Sequence, residues 1–276
     1  MRAWIGRIVV PATAGAPVSG SALSFALAPV SALAFALAVA STGCGADNAG
    51  RNAIATDRTP RQVIVIVDLS GSRAAHMLDE GRKFLEEVIA GLDFGDRLVL
   101  LEMHQRSPVD DVRRWADSIP LPPDPSFITT RDRRMAEGVR EGARAVVEKF
   151  FVPPAGPAPH TDIFSTLQVA GEYVRSAGRR ATTIVILSDM LQSANGIEME
   201  GARSMPEHRL VDEWKAAGRL PPLAGACVGV IGADASTENG KAVQEFWRYY
   251  FDAAGATLEA RNYRVLGTGV GGVVCD

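Results

Sequence analysis

The sequence is poor in the residues that hold soft metals. Only three cysteines and four histidines stand among 276 residues. His76, His104 and His208 share no metal-ligand spacing with one another or with cysteine, so nothing in the pattern points to zinc. Aromatics make up 7% and the formal net charge is −3. Stacking platforms for bases and a basic face for nucleic acid are both disfavoured, and no nucleic-acid partner is expected. No glycine-rich phosphate loop follows a strand, no credible Ser-His-Asp set is present, and no segment repeats. What remains is ordinary globular composition, 47% hydrophobic and 22% charged, enough for one large domain or two small ones.

The first 44 residues contain no acid, and Arg2 and Arg7 are their only basic residues. The stretch "SALAFALAVASTGCG" is an apolar run that ends in small residues and then Cys44. This is the build of an export signal. With Ser41, Thr42 and Gly43 before the cysteine, it resembles a bacterial lipoprotein signal, although Ser41 stands where a bulky aliphatic is usual. The resemblance implies a lipid on Cys44 and a chain anchored in the cell envelope, on its periplasmic or extracellular face. Two alternatives stand beside it. One is a signal cut at another small-residue site. The other is an uncleaved anchor over 22–40, near the ~20 residues that span a bilayer, with Pro29 inside it.

Beyond residues 1–44, the polar stretch 45–61 reads as a flexible tether. Residues 62–266 read as one domain and 267–276 as a glycine-rich, mobile tail. Without Cys44, Cys227 and Cys275 form an even pair. In an oxidising compartment they can join as a disulfide or remain two thiols.

From Gln62 onward strand and helix patterns alternate. "QVIVIVD" (62–68) is a continuous apolar run, as in a strand buried on both faces. Further strands are expected at 96–104, 181–189, 224–233 and 256–266, with a short edge strand at 109–115. Helices are expected at 74–92, 130–150, 163–177, 206–217 and 238–254. The fold class that follows is α/β: a Rossmann-like, doubly wound, mostly parallel sheet with helices on both faces.

In such a sheet ligands bind beyond the carboxyl ends of the strands. Three loops there carry oxygen donors: Asp68-Leu69-Ser70-Gly71-Ser72, then His160-Thr161-Asp162, then Ser188-Asp189. Carboxylates and hydroxyls are hard donors that suit Mg²⁺ first, with Mn²⁺ or Ca²⁺ as alternatives. Alternate spacing can aim Asp68, Ser70 and Ser72 at one point, and Gly71 permits the bend. Few charged ligands leave the cation partly uncompensated, with a position for water or an acidic partner.

These residues resemble the von Willebrand factor type A family. Asp68-x-Ser70-x-Ser72 matches its metal-ion-dependent adhesion site, Thr161 its later threonine, and Asp189 the aspartate that closes "IVILSD". "LDFGDRLVLL" (92–101) is similar to the segment leading into the family's second strand. The resemblance covers the domain from about 62 to 266. It implies direct metal contacts from Ser70, Ser72 and Thr161, with Asp68 and Asp189 acting directly or through water. It also implies a protein partner that fills the remaining metal position with an Asp or Glu. Two positions depart from the pattern: Met190 replaces the glycine usual after the last aspartate, and His160 precedes the threonine.

The same residues have a plainer reading, because Asp and Ser after a strand also cap helices and start turns. Three functions follow. The leading one is a non-enzymatic, membrane-anchored binding module that uses a divalent cation. The second is a structural or assembly component of an envelope complex with a stabilising or vestigial metal site. The third, a Mg²⁺-dependent hydrolase, is opposed by Ser70. It stands where an acid/base carboxylate would be needed, two residues after Asp68.

Overall fold

Strand β1 (Arg61–Asp68) is buried along every residue but its first, and the sheet is built outward from it. The structure is a computed structural model that describes residues 58–69, 75–103, 114–151, 160–199, 205–265 and 273–275. The leader 1–44 with Cys44, the tether residues 45–57, and Ser70, Gly71 and Ser72 lie outside the described residues.

After β1 come α1 (Ala75–Ala90), β2 (Arg97–Met103), β3 (Arg114–Ser118), α2 (Thr130–Phe150) and α3 (Ile163–Arg175). Then follow β4 (Ala181–Leu187), β5 (Ser193–Ala194), β6 (Ile197–Glu198), α4 (His208–Ala216), β7 (Cys227–Ile231), α5 (Glu238–Ala253) and β8 (Thr257–Arg264). Six strands form one sheet in the order β3-β2-β1-β4-β7-β8, and β5 and β6 form a small hairpin. All neighbours in the large sheet are parallel except β2 and β3. The fold is thus the α/β, doubly wound, mostly parallel architecture.

The apolar runs work because each strand feeds two cores. Ile64, Ile66, Val99, Leu101, Ile184 and Ile186 face the layer of α3, α4 and α5. Val63, Val65, Val67, Leu98, Leu100 and Val185 face the layer of α1 and α2. Burying one such side chain is worth roughly 1.5–3 kcal/mol. Helix starts are fixed locally. Thr129 and Asp132 cap α2 reciprocally, Asp162 caps α3 and Thr237 caps α5, each filling backbone donors that lack helical partners.

The chain enters the fold earlier than the sequence suggests. The Ala181 amide donates to the Pro60 carbonyl at 3.0 Å, and Arg58 Nη2 reaches Asp96 Oδ1 at 2.9 Å. Asp96, buried at 1% exposure, also accepts the Arg61 amide at 2.7 Å and its guanidinium at 3.0 Å. Residues 58–61 therefore belong to the domain rather than to a tether.

The other end is also corrected. Within the expected tail, the buried Asn262 amide donates to the Val274 carbonyl at 2.9 Å and accepts the Val274 amide at 3.3 Å. Val273 packs on Gly229, where an added Cβ would lie 2.5 Å from Val273 Cγ2. Cys227 and Cys275 are joined by a disulfide with Cα atoms 5.7 Å apart. Residues 273–275 are thus fastened across β7 and β8, and the rest of the tail lies outside the described residues.

Candidate functional site

The strand order reverses between β1 and β4, and the carboxyl ends at such a switch point are where sheets of this kind take ligands. Asp68 is the last residue of β1 and is fully buried. Ser188 and Asp189 directly follow β4. The Ser188 hydroxyl donates to Asp68 Oδ2 at 2.9 Å and accepts the Met190 amide at 3.0 Å. One buried hydroxyl thus joins the ends of both strands.

Thr161 lies two residues before α3 and is 5% exposed. Its amide donates to Ser193 Oγ at 2.9 Å, and the Ser193 amide donates to its carbonyl at 3.0 Å. Gln192 Oε1 accepts the Ile163 amide at 2.7 Å, and Asn195 Nδ2 donates to the capping carboxylate of Asp162 at 2.8 Å. The segment after Asp189 therefore clamps the Thr161 loop from three residues. The structure so links Asp68, Asp189 and Thr161 through two adjoining hydrogen-bond ties. Ser70 and Ser72 lie outside the described residues.

Part of the plainer reading is realised at Asp189. Its Oδ1 accepts the Leu191 amide at 3.0 Å, a local turn bond. Asp68 and Asp189 both make further polar contacts. Among the described residues, no group of three His, Cys, Asp or Glu side chains could hold a metal. Any cation here would depend on hydroxyls, and the described donors (two carboxylates and the Thr161 hydroxyl) fit a hard cation by type.

Burial, then the charges of Asp189 and Asp234, pushes the Tyr263 phenol above its usual range. The Ser236 amide and hydroxyl hold the Asp234 carboxyl below its own.

Met190 adopts φ 66°, the left-handed region that glycine enters freely. Its side chain is fully buried, and its carbonyl accepts Trp247 Nε1 at 2.9 Å. Burial and two hydrogen bonds hold a backbone that methionine alone disfavours.

Sequence reasoning passed over Gln192, Ser193 and Asn195. One signal was present: Asn195-Gly196 is the dipeptide of a tight hairpin, and both residues have positive φ, 58° and 77°. That turn closes β5 on β6 and sets the clamp beside Thr161.

No protein-family profile matches the chain, and no curated protein matches it. Solved structures do match. A von Willebrand factor type A protein from Catenulispora acidiphila is 13% identical with a TM-score of 0.35, over 70% of this chain and 43% of that one. A mutant of the PilB minor pilin from Streptococcus sanguinis is 13% identical with a TM-score of 0.44, over 76% and 58%. The SpaC pilus adhesin from Lactobacillus rhamnosus GG is 11% identical with a TM-score of 0.43, over 75% and 28%. The chain spans less than two thirds of the length of each.

Proposed function

We propose that this chain is an exported binding module, held to an envelope membrane by a lipid on Cys44. On this reading it captures an acidic side chain of a protein partner through a divalent cation, Mg²⁺ foremost. Asp68, Ser70, Ser72, Thr161 and Asp189 would hold that cation. The observation that carries the reading is the pair of ties at the switch point, Ser188 to Asp68 and Ser193 to Thr161. They hold the Asp68 carboxylate and the Thr161 loop, which would lower the cost of ordering those two on binding. A bound cation would supply one thing, an electrophilic position for the partner's carboxylate. The protein's own part is positional: Ser188 orients Asp68, and Ser193 and Gln192 fix the loop that carries Thr161. No covalent step belongs to this function, and we propose no enzymatic activity.

The test is thermal unfolding of the purified chain against Mg²⁺, Mn²⁺ and Ca²⁺, beside Asp68→Ala. A cation that binds only the folded state adds about 2.7 kcal/mol of stability at a hundredfold excess over its Kd. A rise in Tm in the parent that is lost in Asp68→Ala is the expected result. No rise in either protein would return these oxygens to caps and turns. A rise without metal-dependent partner capture would mark the site as structural.

A further inference from the structure

The tether joins the fold at the end of the sheet opposite the candidate site. Arg58 to Arg61 lead into β1, whose far end is Asp68. At that same end lies a patch of unusual composition. Among the described residues, five large apolar side chains are exposed, and three of them fall within 121–135: Leu121 at 60%, Phe127 at 61% and Met135 at 40%. Arg131, Arg133 and Arg134 are interleaved with them and are exposed. None of the three makes a salt bridge among the described residues, although the charge of Arg131 acts on Asp132, whereas Arg140 and Arg144, further along α2, both pair with Glu137. Two acids share the stretch with the three arginines: Asp132 is buried and accepts the Thr129 amide and hydroxyl at the helix cap, and exposed Asp124 accepts the Ser126 amide and hydroxyl.

Placement ties this patch to the tether. Strand β3 runs antiparallel, so Ser118 lies beside Arg97 at the tether end of the sheet. The loop after it and the first turns of α2 therefore start there as well. A Cβ on Gly95 would lie 3.0 Å from both Leu121 Cδ2 and Pro60 Cγ, so Leu121 stands beside Pro60. Met135 follows Arg131 by one helical turn, on the same face.

We infer that this end of the domain, Leu121, Phe127, Met135 and the three arginines of the first turns of α2, rests on the anionic headgroups of the membrane that carries the chain. The inference rests on the lipid-anchor part of the function proposed above. Thirteen residues separate Cys44 from Arg58, which is at most about 50 Å of extended chain. An anchored domain is thus confined within that distance of the bilayer and is attached to it by this end. Apolar tips among basic groups are what an interfacial contact requires: the tips enter the headgroup layer and the guanidinium groups meet its negative charge. The candidate site then faces outward, toward a partner.

The test is hydrogen exchange of the full chain on two kinds of vesicle. One is phosphatidylcholine alone, and the other is phosphatidylcholine and phosphatidylglycerol in equal parts. Slower exchange over 119–135 on the anionic vesicles only is the expected result. Each Arg→Gln change at Arg131, Arg133 or Arg134 should weaken the contact about fivefold, so the triple variant should lose the protection, as should high salt. Equal exchange on both vesicles would overturn the inference. So would protection that survives the triple variant, or protection that grows with protein density on neutral vesicles, which would mean a second copy covers the face. Mass analysis of the mature N-terminus reports the Cys44 lipid separately. A chain lacking the lipid is added to the same two vesicles and read the same way, so the two ideas fail independently.

Discussion

Trp247 Nε1 donates to the Met190 carbonyl at 2.9 Å, tying the middle of α5 to the residue that follows Asp189. Trp247 is fully buried among Phe164, Phe246, Tyr250 and Phe251. Replacing it by Phe keeps an aromatic ring but leaves a buried carbonyl short of its donor. A loss of about 1–3 kcal/mol is expected in urea unfolding. Unchanged stability would show that the bond does not hold Met190 in its left-handed conformation.

Ser188→Ala removes two bonds at once, one to Asp68 and one from the Met190 amide. Destabilisation of about 1–3 kcal/mol is expected, together with a smaller Tm response to Mg²⁺ than the parent shows. Full retention of that response would separate Ser188 from the candidate site.

The Cys227–Cys275 disulfide closes a span of 48 residues. By loop-closure entropy it stabilises the fold by about 4 kcal/mol. Cys275→Ser should lower the unfolding midpoint accordingly, and reductant should bring the parent down to the variant but leave the variant unmoved.

The capping box of α2 gives a pH dependence. The Thr129 hydroxyl and then its amide hold the Asp132 carboxyl below its ordinary pKa. A carboxyl depressed in the folded state stabilises above its unfolded pKa, and that stabilisation is lost as pH falls through the folded value. Thr129→Ala should therefore be less stable than the parent near neutral pH. The gap should close in acid, below the ordinary carboxylate range. Paired denaturation curves across that range check this, and a gap independent of pH would assign the cap's effect to the neutral hydroxyl alone.

Most elements could be read from the chain because their signals are local. The run Val63–Val67 declares a strand buried on both faces. Thr129 and Asp132, three residues apart, place the start of α2 at Thr130, where the sequence puts it. Strand β3 escaped. Expected at 109–115, it lies at Arg114–Ser118, an exposed edge with little apolar content. Its position is set by pairing with β2, Trp115 opposite Leu100, and pairing is not written in its own residues. The docking of Val273–Cys275 escaped for the same reason, since it depends on Asn262 in a bulge and on a bare Gly229. At the candidate site the donors Asp68, Thr161 and Asp189 stood out by residue type. The residues that orient them did not, because Ser193 reaches Thr161 across 32 positions of sequence.

The double grip of Arg58 and Arg61 on Asp96 has a mechanical consequence. A pull between the tether and a ligand at Asp68 runs lengthwise along β1. That strand is paired over seven positions with β2 on one side and seven with β4 on the other. In the proposed function such tension is carried by the covalent backbone of β1, which is already extended, so the ladders on either side need not be peeled apart rung by rung. The ion pairs at Asp96 sit at the first rung, where such a force enters. A chain that captured a partner in the way proposed above would by this placement be suited to holding on while it is pulled.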